Sequence, residues 1–182
     1  PAAIETIDEK ILRLARQDVI YEKVKDFISD ANAINLVEFS SDDLAELEQK
    51  ITQICQSFDK GRGYYLAKNE IEAASLWELR KRGVGLLGNA KGDRKPIAFV
   101  EDTAVPPACL ANYICEFQAL LNAYQLDYAM YGHVDVGCMH VRPALDLKVP
   151  QDEALIRELS DKVVALVRKY GGVMWGEHGK GF

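Results

Sequence analysis

The chain carries three histidines, and all three lie in two glycine-flanked segments. His133 and His140 sit in Tyr131-Gly132-His133-Val134-Asp135-Val136-Gly137-Cys138-Met139-His140, and His178 follows Glu177 in Gly176-Glu177-His178-Gly179. Two imidazoles and a carboxylate with open positions suit a catalytic divalent-metal site rather than a closed structural one. A separation of seven puts His133 and His140 on opposite faces of one straight strand. Gly132 and Gly137 argue against one helix. A hairpin turning between Val136 and Gly137 makes positions 133 and 140 direct cross-strand partners, with Cβ atoms about 4.5–5.5 Å apart. Both rings then reach one ion. Gly137 suits such a turn because it takes positive φ, whereas Val136 suits a two-residue primed turn poorly, so a longer loop with the same centre is expected. Glu177 and His178 are neighbours and point to opposite faces of an extended strand, so either one can be the third ligand.

The residues around these motifs have plainer readings. Asp135 reads as a turn former and Cys138 as a packed thiol rather than a soft ligand. Arg142 and Lys180 flank the motifs and could hold a carboxylate. Arg80 and Arg82 close a predicted helix, where cations complement the C-terminal dipole and are commonly solvated. Trp77 and Trp175 read as core or pocket wall.

The apolar periodicity supplies the scaffold. Residues 5–30 have roughly helical spacing and predict helical segments with a break. Residues 34–39 alternate as a strand. Ser40-Ser41-Asp42-Asp43 then caps an amphipathic helix ending near Lys60-Gly61. A short strand is expected at 64–67 and a helix at 69–82. Residues 83–88 are glycine-rich and flexible, without the pattern of a phosphate-binding loop. A strand at 97–100 precedes a helix opened by Pro106-Pro107. The hairpin arms at 127–133 and 138–142 follow, with Pro143 stopping the second. A last helix begins at Pro150, Gly171-Gly172 caps it, and a final strand at 173–175 delivers Glu177 and His178. Hairpins and split βαβ units dominate. The expectation is an α+β fold, ferredoxin-like, with an antiparallel sheet and helices packed on one face.

Composition narrows the function. The 182 residues are 48% apolar and 27% charged, ordinary for a globular chain with a hydrophobic core. A net charge of −6 without a basic stripe argues against nucleic acid. Four cysteines without a CxxC pair read as reduced thiols of a cytoplasmic protein, three of them core fillers. No signal peptide and no apolar run of about 18 residues is present, so no membrane span is expected. The chain starts at Pro1 and stops just after the Glu177-His178 pair, which reads as a piece of a longer polypeptide.

Taken together, the Gly132-His133-…-Gly137-…-His140 and Gly171-Gly172-…-Gly176-Glu177-His178-Gly179 segments resemble the C-terminal domain of FAD-linked oxidases. These are the flavin-dependent D-2-hydroxyacid dehydrogenases, which include D-lactate and D-2-hydroxyglutarate dehydrogenases and the glycolate oxidase flavin subunit. Leu76-Trp77-…-Arg80 and Phe99-Val100-Glu101-Asp102-Thr103-Ala104-Val105-Pro106 add weaker matches. The likeness covers residues 34–182, a domain truncated at its C-terminus, and leaves 1–33 as an N-terminal helical connecting segment. The Val134-Asp135-Val136 and Cys138 version is similar to large bacterial members that also carry an iron–sulfur domain. The family commonly has Gly, Asp, Gly, Asn where this chain has Asp135, Val136, Gly137 and Cys138.

The resemblance implies oxidation of the 2-hydroxyl of a small 2-hydroxy acid, with the hydride passing to FAD. The FAD is held by another domain of the same polypeptide. An iron–sulfur cluster lies elsewhere in the full-length protein, and electrons go on to a further acceptor. The implied location is cytoplasmic, with room for peripheral association with the inner membrane. His133, His140 and Glu177 would ligate a divalent metal of the zinc type, His178 would be the catalytic base, and Arg80 would contact the substrate carboxylate. A bound metal acidifies the hydroxyl, and a neutral histidine then accepts its proton. Two other readings compete: a non-catalytic metal-binding or interaction module of the same fold, and a metal-dependent hydrolase using His133, His140 and Glu177 with a bound water.

Overall fold

A computed structural model describes residues 1–58 and 63–178. Six strands form one antiparallel sheet: Ala3–Ile7 (β1), Ile34–Glu38 (β2), Lys95–Pro96 (β3), Thr103–Ala104 (β4), Tyr128–His133 (β5) and Cys138–Leu145 (β6). Their order is β2-β1-β5-β6-β3, and β4 also pairs with β6. The helices are Glu9–Ala15 (α1), Tyr21–Ile28 (α2), Leu44–Ser57 (α3), Glu70–Gly88 (α4), Leu110–Ala123 (α5) and Pro150–Lys169 (α6). Asp8, Asp43 and Asn69 cap α1, α3 and α4 by accepting backbone N–H bonds from the first turn. Among the described residues, no helix is long and apolar enough to cross a membrane.

The central strands β5 and β6 are buried on both faces. Met130, Met139 and Val141 point into a core with Phe117 and Leu121 of α5 and Leu159 and Val163 of α6. Ala129 and Tyr131 point the other way, with Ile7 of β1, into a second core with Ile11 of α1, Val24 of α2 and Leu79 and Leu87 of α4. Helices therefore cover both faces, which corrects the expected one-sided layer. A sheet that places apolar side chains of its central strands on both faces needs cover on both.

Several boundaries differ from the sequence reading. Residues 3–7 form a strand inside the sheet rather than the start of a helical connector, because Asp8 starts α1 only after them. Residues 64–67 are not a strand. The helix expected to close at Arg80-Lys81-Arg82 continues to Gly88, so those cations lie within α4 and not at its end. Its glycine-rich last turns allow close approach to α1, where a Cβ on Gly83 would stand 3.3 Å from Ile11. The strand expected at 97–100 is replaced by the short β3 and β4 on either side. Pro143 does not stop β6: it faces Tyr128, the first residue of β5, and its carbonyl accepts from the Ile97 N–H at 2.9 Å. The final strand at 173–175 shrinks to a bridge between Val173 and Ala104. Of the four cysteines, Cys138 alone is buried. The helix end expected at Lys60-Gly61 lies outside the described residues.

Candidate metal centre

The hairpin brings the two histidines together in a register other than the expected one. His133 pairs with Cys138 and Tyr131 pairs with His140, so the loop is centred between Asp135 and Val136. Asp135 stabilises it, its carboxylate accepting the Val136 N–H at 3.1 Å. Gly137 carries φ 71°, and a Cβ there would collide with the Val105 carbonyl. That closeness of the 105–107 segment fixes where the turn ends. The shift moves the cross-strand partner by two residues, which preserves the side-chain face. His133 and His140 are thus diagonal neighbours on the face that holds Tyr131, and their Nε2 atoms are 3.4 Å apart.

The tail after α6 closes the site. Asp102, at φ 72°, accepts the backbone N–H of Glu177 at 2.9 Å and of His178 at 3.1 Å through its two carboxylate oxygens. The Gly176 N–H donates to the Asp102 carbonyl at 2.7 Å. So pinned, Glu177 places Oε1 3.0 Å from His133 Nε2 and 2.8 Å from His140 Nε2. The His178 ring lies nearly parallel to that of His140, at a centroid separation of 5.4 Å, and is 45% exposed. Its Nδ1 is 3.8 Å from Asp102 Oδ2.

Carboxylates also stand behind both hairpin histidines. Glu5 Oε1 is 2.5 Å from His133 Nδ1, and Glu101 Oε1 is 3.6 Å from His140 Nδ1, a buried nitrogen without a hydrogen-bond partner among the described residues. Each carboxylate is gripped by an arginine. Arg80 Nε donates to Glu5 at 2.8 Å, and Arg142 donates twice to Glu101, at 2.6 and 2.9 Å. The two guanidiniums lie over the Tyr131 ring, at 4.9 and 5.7 Å from its centroid.

The electrostatics follow from this packing. Four carboxylates (Glu5, Glu101, Asp102 and Glu177) face two guanidiniums, an excess of two formal negative charges among the described residues. Burial lowers the pKa of both hairpin imidazoles. For His133 the bonds and charge of Glu5 and Glu177 outweigh burial, and its pKa stands above the ordinary value. For His140 burial prevails over Glu101 and Glu177, and its pKa is lowered. Burial opposes the Asp102 charge, but the two backbone N–H donors and Cys138 together hold its pKa below the usual carboxylate value. Burial, reinforced by Asp102, pushes the Cys138 thiol up to about 12, so it stays protonated and packed.

A divalent ion fits these donors. Tetrahedral ligands about 2.0–2.1 Å from one ion stand about 3.3 Å from one another, close to the 2.8–3.4 Å found among His133, His140 and Glu177. A proton on His133 Nδ1, facing Glu5, leaves the Nε2 lone pair for an ion. Asp102, His140, Glu177 and His178 also offer ligand atoms within 4.8 Å of one another, so the acidic pocket extends past the expected triad toward Asp102.

The expected residues are thus distributed as follows. His133, His140, Glu177 and His178 meet in one place. Arg80 stands behind His133, engaged with Glu5, and Arg142 engages Glu101. Arg82 makes exposed ion pairs with Asp18 and Glu78. Trp175 is half exposed. Lys180 lies outside the described residues. Sequence reasoning missed Glu5, Glu101 and Asp102 as parts of the site. Glu101 and Asp102 belong to a segment that carried the family likeness, and that signal pointed to them. Glu5 had no such signal, because its segment read as helix.

Comparison with known proteins gives a consistent result. The family described as FAD linked oxidases, C-terminal domain, matches residues 1–182. The D-2-hydroxyglutarate dehydrogenase of Pantoea ananatis is 48% identical over 193 residues, covering 99% of this chain and 19% of that protein. That of Escherichia coli is 46% identical with the same coverage. A D-lactate dehydrogenase of Archaeoglobus fulgidus is 29% identical over all of this chain and 37% of its own length. The chain thus spans about a fifth of the length of the D-2-hydroxyglutarate dehydrogenases it matches.

Proposed function

This chain belongs to the family of FAD-linked oxidase C-terminal domains, and on that premise we propose that it is the substrate- and metal-binding domain of a flavin-dependent D-2-hydroxyacid dehydrogenase. Higher identity to the D-2-hydroxyglutarate dehydrogenases than to the D-lactate enzyme favours D-2-hydroxyglutarate as substrate. The observation that carries the reading is the meeting of His133, His140 and Glu177 beside an exposed third imidazole.

His133, His140 and Glu177 would hold a divalent ion, in our reading zinc, which when bound acidifies the substrate hydroxyl and orients its carboxylate. Other steps fall to the chain's own side chains. His178 accepts the hydroxyl proton, and Asp102 beside its Nδ1 steadies the resulting imidazolium. Arg80 meets the substrate carboxylate through its terminal nitrogens, which have no hydrogen-bond partner among the described residues. FAD, held by a domain outside this chain, would supply the hydride acceptor, and an iron–sulfur cluster elsewhere in the full-length protein would supply onward electron transfer. The chain alone therefore turns nothing over.

On architecture, we read a ferredoxin-like unit across residues 103–173. Its support is the sequence β4-α5-β5-β6-α6-Val173, with Val173 bridged to β4, β4 paired to β6 and β6 paired to β5. The helices α5 and α6 pack on one side of this unit, and β1 and β2 extend it past β5.

His178→Asn in the full-length flavoprotein tests the function. Flavin reduction by D-2-hydroxyglutarate should fall by about 10²–10⁴-fold, with zinc content unchanged. Unchanged flavin reduction would replace this reading by that of a non-catalytic metal module.

A further inference from the structure

We infer that Glu5 and Glu101 are positioning residues: two arginine–carboxylate–histidine relays, Arg80–Glu5–His133 and Arg142–Glu101–His140, aim the two Nε2 lone pairs at one cation. The inference rests on the metal reading above and extends it to residues outside the ligand set. The first relay is closed, with 2.8 Å from Arg80 to Glu5 and 2.5 Å from Glu5 to His133 Nδ1. In the second, two bonds lock Glu101 to Arg142, and His140 Nδ1 lies 3.6 Å away. That nitrogen is buried without a partner among the described residues, in a residue only 3% exposed. A buried imidazole nitrogen without a bond is costly, and Glu101 offers the nearby acceptor that would relieve it. Both carboxylates are themselves largely buried, at 9% and 11% side-chain exposure. A buried carboxylate needs its guanidinium, which explains one arginine per relay. Tyr131 keeps both guanidiniums in place from between, under Arg80 and Arg142.

A ligating histidine whose second nitrogen donates to a carboxylate is fixed in tautomer and ring orientation, and loss of that partner weakens metal binding about 10–100-fold. The N-terminal strand β1 thus enters the site through Glu5, although none of its residues need touch an ion.

The experiment measures zinc affinity by chelator competition on the full-length protein. Glu5→Gln and Glu101→Gln should each bind zinc about 10–100-fold more weakly, an effect to be separated from the stability lost when each strips a largely buried arginine of its charge partner. Affinities within twofold of wild type overturn the relays. If a variant also melts early, the double mutant with His133→Ala (or with His140→Ala for Glu101) decides. A relay requires the glutamine effect to vanish once its histidine is gone, and an effect that persists overturns it. The cobalt-substituted protein adds a spectroscopic check, because altered ring orientation shifts the visible absorption of the ion and an unshifted band counts against the relays. Wild-type zinc affinity in His133→Ala and His140→Ala would overturn the metal reading itself. Weakened binding there, with both glutamine variants unaffected, overturns the relays alone.

Discussion

A Cβ on Gly176 would stand 2.6 Å from the Cys138 sulfur and 3.2 Å from the Asp102 carboxylate. Side-chain growth at this point pushes the tail off its anchor, and with it Glu177. Gly176→Ala should weaken zinc binding at least tenfold and cost about 1–3 kcal/mol of stability, the usual range for overpacking. Cys138→Ala removes the opposing sulfur, so the double mutant should recover much of the loss. Affinity measured across the four proteins checks this, and strict additivity would show that the contact is not the cause. At this scale the sequence was most informative where residue types were scarce. Three histidines in two motifs left little choice, and Glu177 adjoined one of them. Glu5 is one acidic residue among 28 and had nothing local to mark it.

Among the elements, α1 is tied to β5 through one side chain. The Asp8 carboxylate accepts the Ile11 N–H at 3.1 Å and the Met130 N–H at 2.5 Å. Burial pushes its pKa up to about 6 from 3.8, against the pull of those N–H groups. A carboxyl raised in the folded state binds its proton more tightly there than in the unfolded chain. Its contribution is therefore complete below pH 3.8 and is lost as the pH rises through about 6. The shift corresponds to about 3 kcal/mol at most, less where water reaches the group. Denaturation of the wild type and Asp8→Asn at pH 4 and pH 7 should show their stability difference moving against the wild type by up to that amount. A difference independent of pH would refute it. The hairpin itself was legible at this scale, but its register was not. Placing the turn on Gly137 moved its centre by one residue, because sequence gives no view of the Val105 carbonyl that Gly137 must pass. Histidine convergence survived because the partner moved by two, which keeps the face.

The whole molecule concentrates four carboxylates against two arginines at one end of the sheet. A bound divalent cation would relieve this imbalance in the folded chain and find no equivalent site in the unfolded one. Zinc at about 100 times its dissociation constant should add about 2.7 kcal/mol, or about 5–10 °C in melting temperature. A chelator should reverse the gain, and His140→Ala should abolish it. Calorimetry with and without zinc provides the check, and an equal response in that variant would place the ion elsewhere. Fold class and sheet type were readable from the alternation of short apolar strands and amphipathic helices. The second helical layer was not, because a strand buried along almost its whole length, such as β6, does not reveal which of its faces meets which helix.

The pairing of Glu5 with His133 joins positions 128 residues apart, and the Asp102 anchor joins the tail across another 76. Neither closure is local, so the entropy of both loops must be overcome before the donors meet. An ion held by these donors would have no preassembled nest on the growing polypeptide and would enter only after the first strand and the last turn have docked. Metal capture would then serve as a late marker of native assembly, arriving last in folding and, on denaturation, leaving first.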